Sequence, residues 1–181
     1  MWDKITNYYK SRGFIMQRVI QLLVDNTSGV LSRISGLFSR RGYNIESITA
    51  GVTNDPRYTR ITIVTSGDED VLEQIEKQVG KLVDVRDLRV LSPKTSVLRE
   101  LVLIKVKVGP ERRPSLISIC DVFRANVIDI ARDSMIIELT GNQSKIAAFI
   151  EMVNEYEILE IARTGSAGLS RGIDGVIWLD D

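Results

Sequence analysis

Apolar residues along this chain change spacing in one order: a two-residue period, a helical period, two more stretches of two-residue period, a helical period and a last two-residue stretch. The order then begins again near residue 97. In residues 17–24, Ile20, Leu22 and Val24 share one face and Gln17, Val19, Gln21 and Leu23 the other, as a strand requires. Residues 25–28, Asp-Asn-Thr-Ser, offer side-chain oxygens to free helix amides and predict a cap, with the helix starting near Gly29. Val30, Leu31, Ile34, Leu37 and Phe38 then form a core-facing stripe, and Ser32, Ser35, Gly36 and Ser39 a stripe of small residues that lets another backbone come close. Arg40 and Arg41 complement the negative helix end, and Gly42 suits a left-handed stop, which predicts a helix of about four turns. Residues 44–52 and 58–65 read as a hairpin around a turn at 53–57. A helix over 68–79, with Leu72, Ile75 and Val79 inward, and a strand over 82–91 complete the first set.

This is the order β-α-β-β-α-β, the ferredoxin-like arrangement, and right-handed crossovers place both helices on one face of an antiparallel sheet. The opposite face carries Val19 and Leu23 and is expected to be covered by a second copy of the chain. Residues 92–96 contain Pro93, break the periodicity and are taken as a linker. The second set follows as a strand at 97–108, a helix at 114–124, strands at 127–131 and 135–140, a helix at 144–153 and a strand at 158–164. The fold class is therefore α+β, with two tandem ferredoxin-like domains over 16–91 and 97–172. Residues 1–15, rich in aromatics and cations, read as an appended arm; the Gly, Ser and Ala of 165–172 predict a loop, and within the tail at 173–181, residues 176–178 suit a short strand.

Lys plus Arg equals Asp plus Glu, 24 against 24, so no bulk field attracts nucleic acid or an anionic membrane. Histidine is absent, which removes the commonest general base and metal ligand, so no catalytic residue and no metal site are assigned. A single cysteine, no apolar N-terminal core of a secretion signal and no apolar run near the roughly 20 residues of a membrane helix predict a cytoplasmic protein.

Chemistry concentrates where the first strand meets the first helix. Free amides of residues 28–31 at the positive helix end form an anion pocket, and Gly29 leaves them uncovered because it has no side chain. Asn26 and Asn44 bracket the helix, and a neutral amide has the donor and acceptor that an amino-acid zwitterion needs; the same two residues also suit a plain cap and a turn.

The runs Asn26-Thr27-Ser28-Gly29-Val30-Leu31-Ser32-Arg33 and Leu37-Phe38-Ser39-Arg40-Arg41-Gly42-Tyr43-Asn44-Ile45-Glu46-Ser47 resemble the regulatory, or small, subunit of acetolactate synthase (acetohydroxyacid synthase). The resemblance continues through Thr59-Arg60-Ile61-Thr62-Ile63, Leu72-Glu73-Gln74-Ile75-Glu76, Arg99-Glu100-Leu101, Ala162-Arg163-Thr164-Gly165 and Gly168-Leu169-Ser170-Arg171-Gly172. It implies an N-terminal ACT domain that pairs as a homodimer and binds valine between the copies, and a C-terminal domain particular to these subunits. Asn26, Gly29 and Asn44 would hold the amino acid, and Val30, Leu31 and Ile45 would line its apolar side. The implied partner is a catalytic large subunit that carries thiamine diphosphate, Mg and FAD, while this chain carries no cofactor, activates that subunit and confers feedback inhibition by valine in branched-chain amino acid biosynthesis. The alternative is a stand-alone amino-acid-sensing ACT protein that regulates another enzyme.

Other functions of this element order fit less well. An RNA-recognition domain needs exposed aromatics on its first and third strands, and here only Tyr58 is available. An acylphosphatase needs an arginine-bearing anion loop, whereas Arg40 and Arg41 lie at the helix end that repels anions. A metal-responsive regulator would have carboxylates as almost its only side-chain ligands.

Overall fold

The computed structural model describes residues 16–173. Its chain divides into two units, residues 98–167 forming the second, and the described residues 16–97 and 168–173 belonging to the first. The expected arm at 1–15 and strand at 176–178 lie outside the described residues.

In the first unit, β1 (Met16–Asp25), β2 (Asn44–Val52), β3 (Tyr58–Gly67) and β4 (Val85–Leu91) form an antiparallel sheet in the order β2-β3-β1-β4. Helices α1 (Val30–Arg41) and α2 (Glu69–Val79) cover one face. The core follows from the two periodicities: Ile20, Leu22 and Val24 of β1 and Ile61 and Ile63 of β3 meet Val30, Ile34, Leu37 and Phe38 of α1 and Leu72, Ile75 and Val79 of α2. Tyr43 sets its ring edge-to-face against Phe38 at 6.0 Å, which packs the turn after α1 onto the same core. That turn is made by Gly42 at φ 68°, where the expected left-handed stop is found.

The opposite face departs from expectation. Leu23, Thr62, Val64 and Leu91 are already buried in the single chain, so a second copy is not what covers them. Residues 168–173 explain part of this. The predicted loop at 165–172 contains a strand, β9 (Ala167–Ser170), which pairs with β5 (Ser96–Lys107), and the chain from Gly168 onward rejoins the first unit instead of closing the second. Gln21, 3% exposed, donates its side-chain amide to the Gly168 carbonyl, and the Arg171 amide donates to the Thr95 carbonyl at 2.8 Å. The expected linker is correspondingly short, since β5 starts at Ser96. The fourth strand begins at Val85, three residues later than predicted, because residues 82–85 close a turn through the Val85 amide and the Leu82 carbonyl.

In the second unit, β5, β6 (Asn126–Ile130), β7 (Ser134–Gly141) and β8 (Glu157–Arg163) follow the order β6-β7-β5-β8, with α3 (Arg113–Phe123) and α4 (Gln143–Val153) supplying Leu116, Cys120, Ile146, Phe149, Ile150 and Val153 to its core. The carboxylate of Glu100, 6% exposed, takes two hydrogen bonds from Arg163, at 2.7 and 2.8 Å, which ties β5 to β8.

Gln21→Met keeps the shape of the side chain and removes the donor, leaving the Gly168 carbonyl unsatisfied. Urea unfolding of the full chain is expected to show a loss of about 1–3 kcal/mol; an unchanged midpoint would mean that this bond does not hold the returning segment.

Candidate functional site

The start of α1 differs from that of α2 and α4. Asp68 caps α2 by accepting from the Val71 amide at 2.8 Å, with Glu69 and Asp70 in the first turn, and Asn142 caps α4 by accepting from the Lys145 amide at 2.9 Å. Helix α1 has no side-chain cap and no acid in its first turn. The predicted cap from residues 25–28 is therefore not formed, and the N-cap is Gly29 itself, in the left-handed region at φ 86°. Its carbonyl accepts from the Arg33 amide at 2.9 Å, and the amides of the first turn are left without an intrahelical acceptor. The positive helix end is thus neither bonded nor neutralised.

The reason for glycine at this position is also different from the one expected. A Cβ would meet only the flexible end of Arg33, at 3.0 Å, so backbone conformation rather than cover over the amides demands it.

A cleft of about 160 Å³ opens at this helix end, lined by Val24, Asp25, Asn26, Thr27, Gly29, Val30, Leu31, Ser32, Thr59 and Ile61. Asn26 is fixed on three sides: its backbone amide donates to the Arg57 carbonyl at 2.7 Å, its Nδ2 to the Pro56 carbonyl at 2.9 Å, and its Oδ1 accepts from Thr59 Oγ1 at 3.0 Å. Leu31, expected in the core, is instead 49% exposed at the cleft, and the small-residue stripe of Ser32, Ser35 and Ser39 faces outward. Thr59 escaped sequence reasoning because it joins the cleft through the pairing of β1 with β3, which sets it beside Val24.

Two ion pairs brace the rim. Arg33 holds Asp84 at 2.6 and 2.7 Å, and Arg86 holds Asp25 at 2.7 and 2.6 Å. The hydrogen bonds from Arg33 keep the Asp84 carboxyl below its ordinary value of 3.8. With both acids matched, the helix amides are the unneutralised feature that a ligand meets. Burial pushes the Cys120 thiol up to about 11, which leaves the sulfur protonated at neutral pH and unfit as a nucleophile.

Of the six residues predicted for the site, Asn26, Gly29, Val30 and Leu31 are brought together. Asn44 and Ile45 are not. Asn44 pairs with Ser66 at the far end of β3, whereas the cleft is beside Thr59, seven residues or about 23 Å along the strand. One ligand cannot touch both asparagines of one chain.

Residues 20–87 match the family model for an AHAS small subunit-like ACT domain, and residues 99–172 that for the small subunit of acetolactate synthase. The acetolactate synthase small subunit of Bacillus subtilis is 47% identical over 87% of this chain and 92% of its own length. The chain belongs to the acetolactate synthase small-subunit family. The small subunit of acetolactate synthase isozyme 3 from Escherichia coli is 44% identical over 87% of this chain and 97% of its own. The crystal structure of the acetolactate synthase small subunit from Thermotoga maritima superposes with a TM-score of 0.79, at 39% identity, over 87% of this chain and 98% of that one. The small-subunit family and its two-domain α+β fold thus agree with the sequence. No described helix is long and apolar enough to cross a membrane.

The brace at Asp84 gives a pH dependence with a definite sign. A carboxyl whose pKa is depressed by folding stabilises the fold at pH values above its unfolded pKa and loses that contribution as pH falls through the folded one. Asp84→Asn is expected to lower stability at pH 7, and the difference from the parent chain to disappear as pH falls below about 4. A difference that persists at pH 2 would mean that the charge pair is not its source.

Proposed function

We propose that this chain is the regulatory subunit of a thiamine-diphosphate-dependent acetolactate synthase, raising the activity of the catalytic large subunit and making it sensitive to valine. The observation that carries this reading is the uncapped, unneutralised start of α1 in a chain similar along both units to acetolactate synthase small subunits.

Valine needs three kinds of contact, and the cleft has a group for each. Its carboxylate goes to the first-turn amides of α1, whose partial positive charge favours an anion. Its isopropyl group goes against Val24, Val30, Leu31 and Ile61. Its ammonium group goes to side-chain oxygens, with Asn26 held in place by Pro56 and Thr59. Because Asn44 and Ile45 lie at the other end of the sheet, they join the site from a second copy, with the exposed small-residue side of α1 at the pairing surface. A ligand shared by two copies favours the arrangement that lets both touch it, and that differential affinity is what shifts an equilibrium; couplings of this sort are typically about 1–3 kcal/mol. Thiamine diphosphate, Mg and FAD belong to the catalytic partner, and this chain does no bond-making chemistry of its own.

Mixing the chain with its large subunit and following acetolactate formation while valine is titrated tests this directly. The expected result is activation without valine and inhibition with it, and absence of both would sink the reading. Gly29→Asp puts a carboxylate where the ligand's belongs, at a positive φ that Asp tolerates better than most residues. It is expected to keep activation and lose valine inhibition; an inhibition curve like that of the parent chain would place valine elsewhere.

A further inference from the structure

The turn after β2 decides which atoms of Asn26 face the cleft. Residues 53–58 are closed by bonds from the Thr53 amide to the Tyr58 carbonyl at 3.1 Å and from the Tyr58 amide to the Asp55 carbonyl at 3.0 Å. The Asp55 carboxylate also takes the Arg57 amide at 2.9 Å, and Pro56 fixes its own φ within the turn. This turn aims two carbonyls at Asn26: that of Pro56 takes Nδ2 at 2.9 Å, and that of Arg57 takes the backbone amide at 2.7 Å. A carbonyl has no proton to give, so only the nitrogen of the Asn26 amide can face Pro56. Pro56 does not line the cleft, whereas Thr59, which holds Oδ1, does. The amide therefore turns its oxygen to the cleft side.

Thr59 completes the pattern. Its hydroxyl has one proton and donates it to Asn26 Oδ1 at 3.0 Å, so Oγ1 has only lone pairs for anything else. Asn26 Oδ1 keeps its second lone pair. The cleft thus offers donors from the α1 amides, acceptors from Asn26 and Thr59, and an apolar wall of Val24, Val30, Leu31 and Ile61.

We infer that Thr59 is the positioning residue that makes this cleft choose an amino acid over the α-keto acid of the same carbon skeleton. This rests on the amino-acid-binding reading above. Valine and α-ketoisovalerate share a carboxylate and an isopropyl group, so the helix amides and the apolar wall suit both. They differ at the next carbon, which bears an ammonium that only donates or a carbonyl oxygen that only accepts. Against Asn26 Oδ1 and Thr59 Oγ1 the ammonium makes charge-assisted hydrogen bonds, while the keto oxygen meets acceptors. Neither side chain can adapt without loss. Turning the Asn26 amide over would set its oxygen against the Pro56 carbonyl, and redirecting the Thr59 proton to the ligand would break its bond to Asn26. Discrimination that leaves polar groups unmatched is stronger than discrimination by shape. The two compounds interconvert by transfer of an amino group, so a sensor built this way responds to the aminated product alone.

The experiment is calorimetry on the isolated full-length chain, with valine and α-ketoisovalerate as separate titrants and the keto acid also as a competitor of bound valine. Leaving out the large subunit keeps keto-acid binding by that partner out of the measurement. The parent chain is expected to bind valine at least about tenfold more tightly than α-ketoisovalerate. Thr59→Val keeps a β-branched side chain of similar shape and removes the hydroxyl. It is expected to weaken valine about tenfold and leave α-ketoisovalerate unchanged, so that the preference shrinks, whereas Thr59→Ser keeps it. The comparison on the parent chain stands whether or not the variant folds. If the parent chain binds both compounds alike, the inference is wrong and the valine site stands. A Thr59→Val chain with the parent's preference would put the discriminating acceptor on another residue, Asn44 of the second copy included, and overturn the inference. Equal weakening of both compounds would make Thr59 a structural residue and overturn it too. If the parent chain binds no valine, the amino-acid reading falls together with the inference.

Discussion

The left-handed turn at Gly29 sets the rest of the first unit in place. It lets the chain leave β1 at Asp25 and enter α1 five residues later with no side-chain cap on the helix amides. The same turn starts the helix in the phase that sends Val30, Ile34, Leu37 and Phe38 to the core and Leu31 to the cleft. Core and site are therefore not independent. The two bidentate pairs Arg33–Asp84 and Arg86–Asp25 hold the turn against β4, and Asn26 holds it against the 53–58 turn through Pro56 and Thr59. What α2 and α4 spend on a side-chain cap, α1 leaves available.

Sheet geometry then limits what a single copy can do with those amides. Asn26 and Asn44 flank α1 in sequence, but a helix runs back along the strands it connects, so its two ends are separated by most of the sheet. Any ligand that uses both asparagines must take them from different copies. In the proposed function, that requirement converts amino-acid binding into a preference between arrangements of subunits.

Much of this was legible in the sequence, and the failures share one physical origin. Hydrophobic period located all twelve main elements, and Arg40-Arg41-Gly42 marked the end of α1, because those signals are local. The beginning of α1 was misread because Asp25, Asn26, Thr27 and Ser28 are good capping residues; Asp25 and Asn26 spend their side-chain oxygens on Arg86 and Thr59, partners 61 and 33 residues away. Leu31 fits a helical stripe by spacing, yet the width of the buried stripe is decided by the sheet beneath it. Strand β9 was invisible for the same reason: Gly, Ser and Ala look like a loop until β5 provides the pairing. The family resemblance of Asn26, Gly29 and Asn44 joined residues that neither spacing nor a single copy of the fold brings together.

The central claim is that one valine site is built from the α1 start of one copy and Asn44 of another, and complementation tests it most directly. Gly29→Asp and Asn44→Ala chains are each expected to bind no valine in calorimetry. Unfolding them together and refolding the mixture makes heterodimers, half of all dimers, each with one intact site of two, so about a quarter of the parent chain's valine capacity should return. No recovery of binding would contradict the account, because it would mean that both residues act within the same copy or that the dimer is not the binding unit.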